Sequence, residues 1–145
     1  MDRSQSRPID KVMDRLYIGD INAVSDNDLL NTYNITHIVN CAADIDIYHT
    51  EPRKYIHVGL RDSHEDLTPF LEPCYIFIAQ ALKNPKTNVL VHCRAGKSRS
   101  ASIVIYFLMR KYIWTYTKAF NYLKQRRPLV EPNESYAAQL SRFKH

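Results

Sequence analysis

The chain has 145 residues, enough for one domain whose core buries roughly two-thirds of the unfolded surface without metal or disulfide staples. Hydrophobic residues make up 45% and charged residues 24%, and three glycines with seven prolines exclude collagen-like or low-complexity character. The net charge of +5 favours anionic partners without naming them, and no apolar run approaches the roughly 18 residues of a membrane-spanning helix.

Residues 1–8 are polar, lack the apolar stretch of a signal peptide and are expected to form a flexible arm. An intracellular protein, cytoplasmic or nuclear, is the expectation. The segment VMDRLYIGD reads as one strand-like stretch with Val12, Leu16 and Ile18 apolar, stopping at Gly19. Asn22 to Asn31 reads as a short helix with Ala23, Leu29 and Leu30 inward. ITHIVNCA, residues 35–42, is a β-branched run and predicts a buried strand. DIDIYHTEPR reads as a loop or ragged edge strand broken by Pro52, and YIHVGL, residues 55–60, predicts another strand. Thr68-Pro69 is a helix-start pair for a helix to about Asn84, with a kink or a later start at Pro73. NVLVH, residues 88–92, is the best candidate for a central strand. Ser98 to Tyr112 is apolar nearly all round and predicts a helix buried in the middle of the domain. Thr117 to Arg126 predicts a second helix, and Asn133 caps a third over Ala137, Leu140 and Phe143. Strands alternating with helices imply an α/β fold, with a central, mostly parallel sheet of about five strands flanked by helices in a single compact domain.

Cys41, Cys74 and Cys93 have neither the number nor the spacing of a disulfide framework or a zinc site. Cys41 and Cys74 lie in apolar segments and read as small core residues. Cys93 stands apart, because VLVHCRAGKSRSAS carries an apolar strand into a short polar loop and then into the buried helix. In such a turn successive backbone N–H groups converge on one centre, and the helix N-terminus adds partial positive charge there. Gly96 permits the tight path, and the planar fork of Arg99 can hold two oxygens of a tetrahedral oxyanion. At the base of this nest Cys93 is favoured as a thiolate, a nucleophile that needs no separate base. The loop that favours the thiolate also suits a phosphate dianion.

The segment resembles the Cys-based protein tyrosine phosphatase superfamily, whose signature H-C-x-x-G-x-x-R-S/T is met by His92, Cys93, Gly96, Arg99 and Ser100. The longer form, with Ala95 and Ser98, is similar to the dual-specificity phosphatases. LYIGD, ITHIVNCA and PNESYAAQL also look like family blocks in the family order, so the resemblance covers residues 9–145 as one catalytic domain. It implies a protein tyrosine phosphatase-like fold and a phosphate-binding loop of His92, Cys93, Arg94, Ala95, Gly96, Lys97, Ser98 and Arg99. It implies Cys93 as nucleophile, Arg99 as the phosphate clamp, and Ser100 as donor to the departing thiolate. The family's general acid lies about 30 residues before the cysteine. Asp62 fits that place, with Glu65 and Asp66 as rivals. The resemblance favours a supporting role for His92 over direct acid–base chemistry. Asn133 either braces the active-site loops or only caps its helix. No metal or cofactor is implied.

Substrate class is less sharply written. Arg94 and Lys97, the loop's variable positions, are both basic, as in the superfamily's phosphoinositide phosphatases, although Ser98 stands where those usually have glycine. The positive charge also suits an RNA 5′-phosphatase, while Lys124, Arg126 and Arg127 read as a solvated helix end. A non-catalytic phosphoprotein-binding module is the alternative from another class. The leading expectation is a dual-specificity protein phosphatase acting on phosphotyrosine and phosphoserine/phosphothreonine in a phosphorylated protein partner, without membrane insertion.

Overall fold

The computed structural model describes residues 7–46 and 52–145. Most of the anticipated arm at 1–8, and the middle of the segment before Pro52, lie outside the described residues. Among the described residues five strands form one sheet in the order β1-β2-β5-β3-β4: β1 (Ile9–Met13), β2 (Leu16–Gly19), β3 (His37–Ala42), β4 (Lys54–Leu60) and β5 (Val89–His92). All neighbours are parallel except the β1–β2 hairpin at one edge. The strand nominated as central is flanked by β2 and β3 and is buried along its length.

Among the described residues six helices cover the sheet: α1 (Ile21–Val24), α2 (Asn27–Thr32), α3 (Thr68–Leu82), α4 (Arg99–Tyr112), α5 (Tyr116–Arg126) and α6 (Glu134–Ser141). Alternation along the strands sorts the core into two faces. Val39, Cys41, Val89 and Val91 join the large cluster with α3 to α6, whereas Ile38 and Leu90 join the small cluster with α1 and α2. Cys41 and Cys74 are fully buried in the large cluster. Among the described residues no helix is long and apolar enough to cross a membrane.

Three expectations are revised. The segment before Gly19 is not one strand but a hairpin, which turns at Arg15 with a left-handed φ of 67°. That conformation is stabilised from outside, since the Arg15 guanidinium donates to the carbonyls of Leu82 (2.9 Å) and Asn84 (2.7 Å) at the end of α3. The helix read over Asn22 to Asn31 is two, because Asp20 and Asp26 each cap a separate N-terminus through Oδ1 at 3.1 Å. Helix α3 begins at Thr68, so the later start at Pro73 is not taken, and Pro73 lies inside the helix on its exposed side, where water can take the freed carbonyl.

Helix α4 positions the site. Eleven consecutive residues, Arg99 to Met109, are buried, and the helix packs on β2, β3 and β5 as well as on α3, α5 and α6. At about 1.5–3 kcal/mol per large apolar side chain buried, it is anchored far more firmly than the loop it follows. The loop between β5 and α4 therefore hangs between two fixed supports.

Candidate active site

Cys93 is the first residue past β5 and is 2% exposed at the bottom of a cleft of about 540 Å³. Alternation turns His92 to the opposite face from Cys93. The cleft is lined by Cys93, Arg94, Lys97 and Arg99 on the loop side and by Asp62 and Asn133 opposite.

The loop backbone is turned by its carbonyls. Arg94 C=O accepts from the Ile21 N–H at 3.0 Å, and Lys97 C=O from the Glu131 N–H at 2.7 Å. Between them, Gly96 C=O accepts from Arg127 Nε at 2.8 Å and Ala95 C=O from Arg127 Nη2 at 3.2 Å. A planar trans peptide points its N–H opposite its C=O. Four carbonyls held toward the protein therefore aim the N–H groups of Ala95, Gly96, Lys97 and Ser98 the other way, as an anion nest requires. Gly96 takes a φ of +65°, and a Cβ there would stand 2.7 Å from both Gly19 O and Arg127 Nη2, so both conformation and space demand glycine.

Arg127 is the residue that sequence reading placed wrongly. It is no solvated helix end, being 1% exposed. It follows α5 in an extended conformation (φ −139°, ψ 90°) that takes its side chain off the helix surface. Its Nη1 reaches the Asp10 carboxylate at 2.6 Å and the Arg7 carbonyl at 2.8 Å. Lys124 and Arg126 do remain at the helix end, where they donate to nearby carbonyls.

Cys93 Sγ lies 3.1 Å from Ser100 Oγ in the first turn of α4. Arg99 is 9% exposed; its Nη1 donates to Asp44 Oδ1 at 2.6 Å and to Leu60 O at 3.2 Å. Asp44 was not singled out in the sequence. The Arg99 and Arg94 hydrogen bonds hold its carboxyl well below the usual carboxylate range. His92 is 1% exposed and does not line the cleft. Burial pushes its imidazole down to about 4, with nearby His57 adding to the effect and the bond to the Cys93 carbonyl opposing it.

Asp62 and its rivals are separated by their contacts. Asp62 Oδ1 accepts from Ser98 Oγ at 2.6 Å and from Asn133 Nδ2 at 3.0 Å, which fixes it across the cleft. Its own φ is 63°, and its N–H donates to Tyr136 Oη at 3.1 Å. Such a left-handed aspartate is sterically costly and persists only where surrounding contacts hold it. Glu65 instead staples its own loop, accepting from the Arg61 and Ser63 N–H groups and from Tyr136 Oη. Asp66 accepts from the Thr68 N–H at the start of α3. Asn133 does both of the things anticipated as alternatives. Its Oδ1 caps α6 through the Tyr136 N–H at 2.8 Å, while its Nδ2 reaches Asp62 and the Ser63 carbonyl.

A family model described as "Dual specificity phosphatase, catalytic domain" matches residues 16–145. Dual specificity protein phosphatase 1 of Arabidopsis thaliana is 36% identical over 126 residues, which are 86% of this chain and 63% of that protein. Dual specificity protein phosphatase 1B of Arabidopsis thaliana is 33% identical over 138 residues, 94% of this chain and 82% of that protein. The chain thus spans under two-thirds of the first relative's length and over two-thirds of the second's. The crystal structure of human DUSP28 superposes with a TM-score of 0.86 at 29% identity, covering 93% of this chain and 91% of that one.

Proposed function

The chain belongs to the dual specificity phosphatase family, and from that premise we propose that it hydrolyses phosphotyrosine and phosphoserine/phosphothreonine in proteins through a cysteinyl-phosphate. The observation that carries this reading is the convergence of three groups on one cleft. They are a buried thiol beneath a loop whose N–H groups turn inward, a mostly buried arginine beside it, and a carboxylate held opposite by Ser98 and Asn133.

In the first step the phosphate dianion sits in the loop under Arg99. The Cys93 thiolate attacks phosphorus in line, the bond to the ester oxygen breaks, and Asp62 gives that oxygen its proton. In the second step the Asp62 carboxylate takes a proton from water as the water oxygen attacks the phosphocysteine. Inorganic phosphate leaves, and the departing thiolate receives a hydrogen bond from Ser100. Charge on the transferring group is spread over three equatorial oxygens, and the backbone N–H groups with Arg99 supply fixed, preorganised stabilisation for it. A neutral, buried His92 supports the loop beneath and leaves proton transfer to Asp62.

The test is phosphate release in EDTA from a phosphotyrosine peptide, a phosphothreonine peptide and a soluble phosphoinositide. Wild type is expected to cleave the peptides, Cys93→Ser to be inert, and Asp62→Ala to lose about 10²- to 10⁴-fold on poor leaving groups. Cleavage of the phosphoinositide alone would overturn the protein-substrate reading. Tight phosphopeptide binding by an inactive wild type would replace it with a binding module.

A further inference from the structure

The two variable loop residues, Arg94 and Lys97, are the cations that a substrate carrying several phosphates would need. Neither is free. Arg94 Nε donates to Asp44 Oδ2 at 2.9 Å, and its Nη2 to the Asp44 carbonyl at 3.4 Å. Lys97 Nζ lies 3.8 Å from Glu131 Oε1, and the same two residues are joined through the Glu131 N–H and the Lys97 carbonyl. The other oxygen of Asp44 is taken by Arg99 at 2.6 Å. Around the nest the three cationic side chains Arg94, Lys97 and Arg99 thus each face a carboxylate, Asp44 or Glu131.

An exposed ion pair is by itself easily broken, and the Arg94 side chain is half exposed. Asp44 differs from an ordinary surface partner because its second oxygen is fixed by Arg99, which is mostly buried and held in turn by the Leu60 carbonyl. It cannot swing away with Arg94 without abandoning Arg99. A second phosphate approaching Arg94 therefore meets a fixed negative charge as well as a cation already engaged.

We infer that Asp44 is a specificity-determining residue. It commits Arg94 to itself and so restricts the site to substrates with a single phosphate at the reacting position, a phosphorylated protein side chain rather than a polyphosphorylated inositol headgroup. The inference rests on the phosphatase reading above and narrows its substrate class.

The experiment compares kcat/KM for a soluble short-chain phosphoinositide bearing three phosphates with kcat/KM for a phosphotyrosine peptide. Wild type, Asp44→Asn, Arg94→Ala and the double variant are run together. Asp44 also touches Arg99, and loss of that contact slows both substrates alike, so the ratio isolates the effect on Arg94. Asp44→Asn is expected to raise the headgroup-to-peptide ratio about tenfold, on the scale of one charge-assisted hydrogen bond. The double variant is expected to return the ratio to the wild-type value, and Arg94→Ala alone to leave it within about twofold. A ratio unmoved by Asp44→Asn, or a rise that survives in the double variant, overturns the inference. So does a fall of tenfold or more in the ratio from Arg94→Ala alone, which decides the matter even if Asp44→Asn fails to fold. A wild type inert on both substrates would instead remove the phosphatase reading itself.

Discussion

His92 and Cys93 are chain neighbours with opposite surroundings, and the difference has a measurable consequence. Burial holds the His92 imidazole at about 4, against an ordinary value of 6.5. Between those values the unfolded chain binds a proton that the folded chain refuses, so folding stability is complete above about pH 6.5 and falls as the pH drops toward 4. Linkage between 6.5 and 4 gives a loss of about 2 kcal/mol between pH 7 and pH 5 from this residue. Urea unfolding at the two pH values, for wild type and His92→Gln, tests it. The variant has a constant penalty of its own, but its pH 7 minus pH 5 difference is expected to shrink by about 2 kcal/mol. A difference equal to that of wild type would place the acid sensitivity in the carboxylates. The Asp44 carboxyl is one of these, and because Arg99 and Arg94 hold it low its contribution is lost only at much lower pH.

At the scale of the element, helix α4 begins under the loop and ends at Ile113, whose φ of 55° puts a β-branched residue in the left-handed region where glycine is usual. Ile113 is 73% exposed, so its side chain contributes little packing to set against that strain. Ile113→Gly is expected to stabilise the domain by about 1 kcal/mol, a rise of a few degrees in Tm, with phosphate release unchanged. An unchanged or lower Tm would show that glycine's extra freedom in the unfolded chain cancels the relief. The same residue shows what was legible in the sequence. Continuous apolar runs located α4 and β5, and the loop signature marked out Cys93 to Ser100, because each is a local pattern. Ile113 and Arg15 carry left-handed turns without the glycine or asparagine that would announce them, and the β1–β2 hairpin was missed for that reason. Asp44 and Arg127 could not be read at all from local pattern. Their partners lie 55 residues away for Asp44 with Arg99, and 31 to 117 away for Arg127 with Gly96 and Asp10. Asp62 was singled out because it fits the family's spacing to the cysteine and follows a strand, and the contacts that hold it across the cleft come from α6 and the loop.

Across the whole molecule, Arg127 joins the parts that must keep their places together. One side chain ties the edge strand β1, through Asp10, to the phosphate loop, through Gly96 and Ala95, from the end of α5. Asp10 is 5% exposed, and its other oxygen, Oδ1, is held by Arg7 Nε at 2.5 Å, so removing the Arg127 guanidinium leaves a buried carboxylate with only one of its two cationic partners. Arg127→Met is therefore expected to cost about 3 kcal/mol in urea unfolding, the low end of the range for breaking a buried pair, because Arg7 still faces the carboxylate. Asp10→Asn leaves the loop carbonyls with their donors and is expected to cost less. In a double-mutant cycle the two changes should fall short of additivity, because once Asp10 is neutral the loss of Arg127 no longer leaves a buried charge short of a partner. The loop offers a second and independent reading. With the Ala95 and Gly96 carbonyls released, the peptide planes that aim two N–H groups at the cleft are free to turn. Orthovanadate, a tetrahedral oxyanion, should then bind at least tenfold more weakly to Arg127→Met, while Asp10→Asn should bind it nearly as wild type does. Equal weakening in both variants would mean that the ion pair, and not the loop contacts, carries the effect. Additive stability losses would mean that Asp10 and Arg127 act separately despite their 2.6 Å contact.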